Sequence, residues 1–320
     1  MTIKLPSPDE PLRIGTRGSP LALAQAHETA RRLGAAFDLP DAAFEVVVIR
    51  TTGDDRAMIA ADRPLKEIGN KGLFTREIEQ QLSSGGIDIA VHSMKDMPTV
   101  QPEGLVLDCY LPREDPRDAF ISPGGGAITD LAHGTVVGTS SLRRKAQLLN
   151  RRPDLTVVEF RGNVQTRLKK LQDGVAAATF LAMAGLRRMN MDGTIPMTAI
   201  DPNDMLPAVA QGAIGIERRM DDDRTAQMLA AIHDGDTDLR LSAERSFLAT
   251  LDGSCETPIA GLAELDGDSL RLRGEILSPD GAESFAGEIS GAASDGAALG
   301  RQLATELLGK AGDDFFAWKG

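Results

Sequence analysis

Residues 12–33 have the sequence LRIGTRGSPLALAQAHETARRL, which predicts a β-strand followed directly by an α-helix. Leu12–Gly15 is a short apolar run typical of a buried strand. Ser19 and Pro20 are residue types preferred at the N-cap and first position of a helix, and the helical pattern continues to about Leu33. A strand that leads into a helix in this way is the first half of a βαβ unit.

The same alternation continues through the first two-thirds of the chain. Thr51–Gly72 interrupts it without any clean period, and we expect a long loop there, a frequent location of functional residues. The further predicted strands are Glu45–Arg50, Ile87–Val91, Thr135–Gly138, Leu155–Phe160, Ala177–Met183 and Ala213–Glu217. The further predicted helices are Leu73–Ser83, the segment capped by Thr139–Ser141, and Val164–Gln172.

Changes in this pattern predict three domains. Leu111–Pro116 has the composition of a linker from the first domain to the second. The chain passes back to the first domain near Leu206–Gly212. After Thr237 two helices, Leu239–Leu251 and Ala297–Leu308, flank a series of strands, which indicates a smaller α+β domain. The predicted domains are residues 1–111 with 212–234, residues 112–211, and residues 235–320. The first two are expected to be doubly wound α/β sheets around a cleft, an arrangement that resembles periplasmic binding proteins.

The composition favours a globular cytoplasmic protein. Apolar residues make up 42%, and the longest apolar stretches are interrupted by charge before they reach membrane-spanning length. No signal peptide is visible at the beginning of the sequence. The net charge of −12 argues against a nucleic-acid coat, and we expect neither a nucleic-acid nor a membrane partner. Two cysteines, Cys109 and Cys255, cannot form a disulfide framework, and no histidines have zinc-ligand spacing, so no metal is expected. We see no assembly element and expect a monomer.

Positive charge is concentrated in one segment. Thr139–Arg188 holds eleven Arg and Lys residues and three acidic residues, so this segment carries +8 while the rest of the chain carries −20. Because each guanidinium fork binds one carboxylate through two parallel N–H···O hydrogen bonds, arginines gathered in one cleft predict a ligand with several carboxylates. Ligands of such sheets bind beyond the carboxyl ends of strands. The residues that follow predicted strands at these ends are Arg17, Ser19, Ser93, Lys95, Asp96, Thr139, Ser141, Arg143, Arg144, Arg161 and Arg188.

Not every cation in this segment predicts a ligand. Arg143 and Arg144 lie in the first turn of a predicted helix, where they oppose the helix dipole and need a compensating anion. We therefore favour a binding role for these two. For the other charges on the two predicted helices, we favour ordinary solvated positions; these are Arg151, Arg152, Lys169 and Lys170.

Asp96 and Cys255 each have two interpretations. Asp96 alone is most simply a turn or helix-cap aspartate, but inside an arginine-lined cleft it would remain ionised and could stabilise a developing cation. Cys255 lies in a glycine-containing turn, which makes it a candidate nucleophile or attachment site, although this signal is weak by itself. Cys109 lies in the apolar run Leu105–Leu111 and is better explained as a small buried hydrophobe.

Seven short segments, in the same order along the chain, resemble the porphobilinogen deaminase family. Each is short, but their common order makes a chance match very improbable. The segments are Arg13–Ala22, Lys71–Phe74, Val91–Asp96, Arg113–Phe120, Gly138–Arg144, Arg161–Val164 and Gly253–Cys255.

The resemblance implies a role for each candidate residue. Cys255 matches the cysteine that carries a covalent dipyrromethane cofactor, and Asp96 matches the catalytic aspartate, which stabilises cations formed as porphobilinogen loses ammonia and is joined to the chain. The product implied is the linear tetrapyrrole hydroxymethylbilane. The other cofactor-binding residues implied are Ser93, Lys95, Thr139, Ser141, Arg143, Arg144, Arg161 and Arg188, and the substrate-binding residues are Arg17, Ser19, Arg161, Arg167 and Gln211.

Two alternatives belong to other functional classes. A two-lobed protein with an arginine-lined cleft could simply bind a polycarboxylate, since fold does not fix function. The absence of an export signal, the acid in the cleft and the cysteine of the third domain count against that hypothesis. An RNA-binding role for Thr139–Arg188 is disfavoured by the net charge of −12 and by the single Trp and single Tyr, which leave little for base stacking.

Overall fold

The computed structural model describes residues 3–51, 75–253, 257–312 and 315–316. Apart from Thr51, the loop predicted over Thr51–Gly72 lies outside the described residues. The strands are β1 Leu12–Arg17, β2 Phe44–Ile49, β3 Ile89–Ser93, β4 Leu105–Tyr110, β5 Asp118–Ile121, β6 Val136–Gly138, β7 Thr156–Val158, β8 Ala178–Ala182, β9 Met197–Ala199, β10 Ile214–Arg219, β11 Ile259–Asp266, β12 Ser269–Leu277 and β13 Ser284–Ala292. The α-helices are α1 Pro20–Phe37, α2 Arg76–Ser83, α3 Leu142–Arg151, α4 Val164–Gln172, α5 Met183–Arg188, α6 Asp223–Ala230, α7 Gly235–Thr250 and α8 Gly296–Ala311.

The strand and helix predicted from residues 12–33 form as expected. The Ser19 hydroxyl caps α1 by accepting the Ala22 N–H at 3.2 Å, and Pro20 occupies the first helical position. The helix ends at Asp38, which adopts the left-handed conformation. Because α1 is capped next to the end of β1, the loop between them is short and its side chains stay at the edge of the sheet.

The first sheet has the strand order β2-β1-β3-β10-β4. Its strands β1, β2 and β3 are parallel, whereas β10 runs antiparallel between β3 and β4. The prediction that the chain returns to the first sheet after its second crossing is therefore confirmed. Apolar side chains of α1 and α6 pack on one face, and those of α2 pack on the other, so the sheet is wound on both sides.

The second sheet repeats this arrangement with the order β7-β6-β8-β5-β9. Again three strands, β6, β7 and β8, are parallel, and an antiparallel strand, β5, separates them from the last. Strands β5 and β9 are not predicted from the sequence, because strands of three or four residues are too short to show a period. The matching orders are a structural repeat for which the sequence gives no sign.

The C-terminal part forms the α+β domain that the sequence predicts. Its antiparallel sheet has the order β11-β12-β13, with α8 packed against β12 and β13. No helix among the described residues combines the length and apolarity needed to cross a bilayer.

Contacts within the described residues group the chain into two compact units. Unit 1 comprises residues 3–51, 75–114 and 213–238, and unit 2 comprises residues 115–212, 239–253, 257–312 and 315–316. Unit 1 holds the first sheet, and unit 2 holds the second sheet together with the C-terminal sheet. The division into three domains, with its boundaries, stays a prediction.

Close packing at the end of β6 generates a stability prediction. A Cβ atom added at Gly138 would lie 2.4 Å from the ring of Phe160, which is fully buried. We expect Gly138→Ala to lower the free energy of unfolding by about 1–3 kcal/mol, because the core has no room for a methyl group. Gly193→Ala is the matched control, since an added Cβ there meets nothing within 4 Å. Equal urea midpoints for the two variants would contradict the packing described here.

Candidate functional site

In unit 1 the predicted site residues gather at the carboxyl edge of the first sheet. Strands β1 and β3 are parallel neighbours, with Ile14 opposite Ile89, so both strands end at the same edge. Arg17 is the last residue of β1, and Ser93 is the last residue of β3. Ser19, two residues after Arg17, caps α1 at this edge.

A buried glutamine joins these two strand ends. Gln25 lies on α1 with only 3% of its surface exposed, and its amide Nε2 is 2.9 Å from the Ser93 hydroxyl, which donates in turn to Gln25 Oε1 at 3.1 Å. The amide thus fixes the position of Ser93 relative to α1. The sequence analysis missed Gln25; the available signal was an amide on the same helix face as the buried Ala22 and Thr29.

Asp96 lies on a single helical turn, Met94–Asp96, directly after β3. Met94 and Met97 are buried on either side of it, and the Met94 N–H donates to the Ala213 carbonyl at 3.0 Å. Asp96 itself is half-buried, and no hydrogen bond or ion pair joins its carboxylate to another described residue of unit 1. The turn is therefore anchored by apolar packing while the carboxylate stays available to a ligand.

A second pair of groups lies beneath this turn. His92 Nε2 is 3.1 Å from Glu217 Oε2 on the neighbouring strand β10, and both side chains are buried. Burial raises the pKa of the nearby Glu79 carboxyl, and the charge of Glu217 adds to that shift. A buried imidazole–carboxylate pair costs desolvation but holds the two strands in one register.

In unit 2 one buried carboxylate organises three predicted site residues. Asp118, at the start of β5, is fully buried. Its Oδ1 accepts from Arg144 Nη2 at 2.7 Å and from Gln211 Nε2 at 2.9 Å, while its Oδ2 lies 2.8 Å from Arg143 Nη1. Arg144 also donates to the Phe180 carbonyl at 2.9 Å. Arg143, Arg144 and Gln211 are thereby brought together around one group.

Electrostatics explain why this carboxylate is charged inside the protein. Burial alone would raise the pKa of Asp118, but the adjacent charges of Arg143 and Arg144 outweigh it and hold that pKa well below its usual range. The compensating anion that the first-turn arginines required is thus Asp118, which the sequence analysis missed. The only sequence signal was an acidic residue next to an apolar run, Ala119–Ile121, which is common at the start of a strand. Ligand binding by Arg143 and Arg144 stays a prediction.

The remaining predicted residues of unit 2 lie at the ends of β6 and β7 and close to Gln211. The Thr139 hydroxyl accepts the Ser141 N–H at 3.2 Å, and Ser141 caps α3. The Ser140 hydroxyl accepts the Phe160 N–H at 2.9 Å, which ties the buried Arg161 segment to the same loop. Arg167 Nε donates to the Gly162 carbonyl at 2.9 Å, and Arg188 Nη2 donates to the Gly212 carbonyl at 3.0 Å.

Cys255 lies outside the described residues. In the sequence it falls between α7 and β11, and Gly253, two residues before it, is closely packed: a Cβ added at Gly253 would lie 2.4 Å from Leu248 and 2.6 Å from Ile259. Cys109 is buried on β4, and burial raises the pKa of its thiol to about 12. Cys109 is therefore the small interior residue that the sequence predicts. Among the described residues, no group of three or more His, Cys, Asp or Glu side chains could hold a metal ion.

Two family models match almost the whole chain. Residues 12–227 match "Porphobilinogen deaminase, dipyromethane cofactor binding domain", and residues 239–309 match "Porphobilinogen deaminase, C-terminal domain". The chain belongs to the porphobilinogen deaminase family. The family is one of transferases, also known as hydroxymethylbilane synthases.

Full-length relatives agree with this assignment. A porphobilinogen deaminase of Paracoccus denitrificans is 68% identical over 98% of this chain and 99% of its own length. A chloroplastic porphobilinogen deaminase of Pisum sativum is 53% identical over 95% of this chain and 83% of its own length. Among solved structures, a periplasmic His/Glu/Gln/Arg/opine family-binding protein from Silicibacter pomeroyi aligns over 69% of this chain and 88% of its own, with 19% identity and a TM-score of 0.38. The fold class therefore rests on the strand orders and on membership of the family.

The arginine cluster of unit 2 fits the carboxylate groups of the family's dipyrromethane cofactor. Two guanidinium groups, those of Arg143 and Arg144, share the single carboxylate of Asp118, so the cluster has one positive charge in excess. The buried Nε of Arg143 has no acceptor among the described residues. A bound carboxylate would supply both the missing charge and an acceptor.

The Asp118 cluster generates a prediction of stability. We expect Asp118→Asn to lower the free energy of unfolding by about 3–5 kcal/mol, because it leaves two buried guanidinium groups without their counter-charge. Chemical denaturation at neutral pH measures the change. Asp173→Asn is the control, since its pairing with Lys169 lies at the surface and its loss should have little effect. A similar loss of unfolding free energy in both variants would show that the charge of Asp118 does not stabilise the buried arginines.

The pH dependence of that difference follows from the depressed pKa of Asp118. The ionised Asp118 carboxylate stabilises the folded state fully above its unfolded-state pKa of about 4. This contribution declines as the pH falls from there through the lower folded-state pKa. The stability difference between the wild type and Asp118→Asn should therefore narrow below about pH 4. A difference that widened on acidification would contradict the assigned direction.

Proposed function

We propose that this protein condenses four molecules of porphobilinogen head to tail, with loss of ammonia, and then releases hydroxymethylbilane by hydrolysis. The observation that carries the proposal is the 68% identity, over nearly the full length of both chains, to a protein named porphobilinogen deaminase. The growing chain is attached through a dipyrromethane held by Cys255. When bound, this group supplies the free α-carbon to which the first substrate is added.

Asp96 is the proposed catalytic residue. As the C–N bond of porphobilinogen breaks, nitrogen leaves as ammonia and positive charge develops on the substrate. A carboxylate beside that charge stabilises it, and the effect is large where water is excluded. A new C–C bond then forms between the substrate's methylene carbon and the free α-carbon of the chain, and that α-carbon loses its proton, which restores the aromaticity of its ring. The half-buried position of Asp96 and the absence of a partner within unit 1 support this role.

The cationic and hydroxyl residues are proposed to bind the acetate and propionate groups of the pyrroles. Guanidinium forks suit carboxylates, and helix starts capped by Ser19 and Ser141 add N–H donors near the same strand ends. The cofactor is assigned to Ser93, Lys95, Thr139, Ser141, Arg143, Arg144, Arg161 and Arg188. The substrate is assigned to Arg17, Ser19, Arg161, Arg167 and Gln211.

We further propose that the protein acts as a monomer in the cytoplasm. The buried protonated thiol of Cys109 and the low cysteine content of the sequence are compatible with a reducing compartment. The alternative of a non-catalytic polycarboxylate-binding protein would leave porphobilinogen unconsumed and the polypeptide mass unchanged.

Asp96→Asn tests the catalytic assignment. The variant keeps the size of the side chain and removes its charge, so we expect normal folding and a turnover lowered by at least about 10²–10³-fold. Ammonia release from porphobilinogen measures the rate. Asp108→Asn, which removes a carboxylate from an exposed position of the same unit, is the control and should retain wild-type turnover. An Asp96→Asn enzyme with the wild-type rate would refute the mechanism.

An intact mass tests the tether. The purified protein should exceed its polypeptide mass by two pyrrole units and gain further units singly when porphobilinogen is added. Cys255→Ala should show neither excess nor growth, whereas Cys109→Ala, which changes the buried cysteine, should keep both. Cofactor on Cys255→Ala and its loss from Cys109→Ala would move the tether to Cys109.

A further inference from the structure

Helix α3 carries Arg143 in its first turn and Gln147 one turn later. Gln147 is completely buried, and its two amide atoms face different partners. Its Oε1 accepts from Arg143 Nη1 at 2.9 Å, and its Nε2 donates to Glu275 Oε2 at 2.6 Å. An amide suits this position because it offers one acceptor to a cation and one donor to an anion.

Glu275 belongs to the C-terminal sheet, on β12, and is 4% exposed. Besides Gln147, its carboxylate accepts from the Ser284 hydroxyl at 3.0 Å and pairs with Arg151 Nη2 at 3.3 Å. Arg151 is exposed, as expected for a solvated charge, and it also pairs with this buried residue of the C-terminal sheet, which was not expected. A buried carboxylate with three polar partners is held in one orientation.

The hairpin that follows β12 also packs directly on α3. Asn150 Nδ2 donates to the Gly281 carbonyl at 2.9 Å, and a Cβ added at Gly281 would lie 2.4 Å from the Ala146 carbonyl oxygen. Only glycine permits this approach, and Gly281 also has a φ of +74°. The C-terminal sheet and α3 therefore contact each other without intervening space, all within unit 2.

The guanidinium of Arg143 is constrained from one side. Its Nη1 lies 2.9 Å from Gln147 Oε1, 2.9 Å from the Leu206 carbonyl and 2.8 Å from Asp118 Oδ2. Its Nε, by contrast, has no acceptor among the described residues. The contacts on Nη1 thus fix the plane of the guanidinium while leaving a donor for a ligand.

We infer that Gln147 and Glu275 are positioning residues through which the C-terminal sheet orients Arg143 toward a carboxylate of the dipyrromethane cofactor. The inference rests on the proposed function, since it takes Arg143 as a cofactor-binding residue. Cys255 belongs to the same C-terminal domain in the sequence. The hydrogen-bonded link Glu275–Gln147–Arg143 therefore connects the domain that carries the cofactor's attachment site to an arginine that binds the cofactor.

Gln147→Glu tests the link with an almost isosteric change. The new carboxylate can still accept from Arg143, but it replaces the donor that faces Glu275 with a like charge. Glu275→Gln alone still offers the Gln147 amide an oxygen to which it can donate, although that oxygen is neutral. This variant should therefore have a smaller effect than Gln147→Glu. The double variant Gln147→Glu/Glu275→Gln restores the hydrogen bond between the two side chains with the charge moved to the other side, and of the contacts of Gln147 only its longer hydrogen bond to the Leu206 carbonyl, at 3.2 Å, stays lost.

The measurement is the rate at which full-length apoprotein, produced in a host that makes no porphobilinogen, gains pyrrole units from added porphobilinogen, followed by intact mass. We expect Gln147→Glu to slow this loading about tenfold, the effect of one disturbed hydrogen bond to a charged group, and the double variant to recover most of the rate. Glu288→Gln, which removes an exposed carboxylate from β13, should load like the wild type.

Leu303→Val separates positioning from general destabilisation. Leu303 is buried in the C-terminal domain beside Gly274 and Gly287 and lies outside the link. The Leu303→Val substitution should lower the melting temperature without slowing the gain of pyrrole units at 25 °C. Wild-type loading by Gln147→Glu, failure of the double variant to recover, or equal slowing by Leu303→Val would each overturn the inference. If the wild type itself gains no pyrrole, the proposed function fails, and the inference fails with it.

Discussion

The buried carboxylate of Asp118 is the constraint on which the architecture of unit 2 depends. It starts the antiparallel strand β5, pairs with two arginines of α3 and accepts a hydrogen bond from Gln211 of the segment that leads back to the first sheet. Moving any of these elements would leave a buried charge uncompensated, at a cost on the order of several kcal/mol. The arginines that suit a polycarboxylate ligand are thus held in place before any ligand arrives, which lowers the entropic cost of binding.

The elements that could be predicted are those whose signal is local. Ser19 with Pro20 and the capping Ser141 define helix starts through neighbouring atoms, and the strand that becomes β3 is a continuous apolar run. Most predicted site residues were found in the same way, because strand ends and first turns can be located along the chain. Their proximity at a sheet edge then follows from parallel pairing.

The residues that could not be predicted act across long sequence separations. Asp118 meets Arg144 26 positions later, Gln25 meets Ser93 68 positions later, and Gln147 meets Glu275 128 positions later. The neighbouring sequence of these residues contains no signal for their partners, since an isolated Asp, Gln or Glu has the pattern of a solvated polar residue. The ion pair between Arg151 and Glu275 could not be predicted for the same reason, since Glu275 becomes a neighbour of Arg151 only when the C-terminal sheet packs on α3.

The position of β10 also bears on how the polypeptide acquires its structure during synthesis. This strand lies between β3 and β4, yet it follows the whole of the second sheet in the sequence. Until residue 219 has left the ribosome, β3 and β4 have no strand to join them, whereas residues 115–212 already contain every strand of their own sheet. Residues 115–212 can therefore complete their sheet first, and the strands that precede residue 115 must wait with an open edge that a chaperone could recognise.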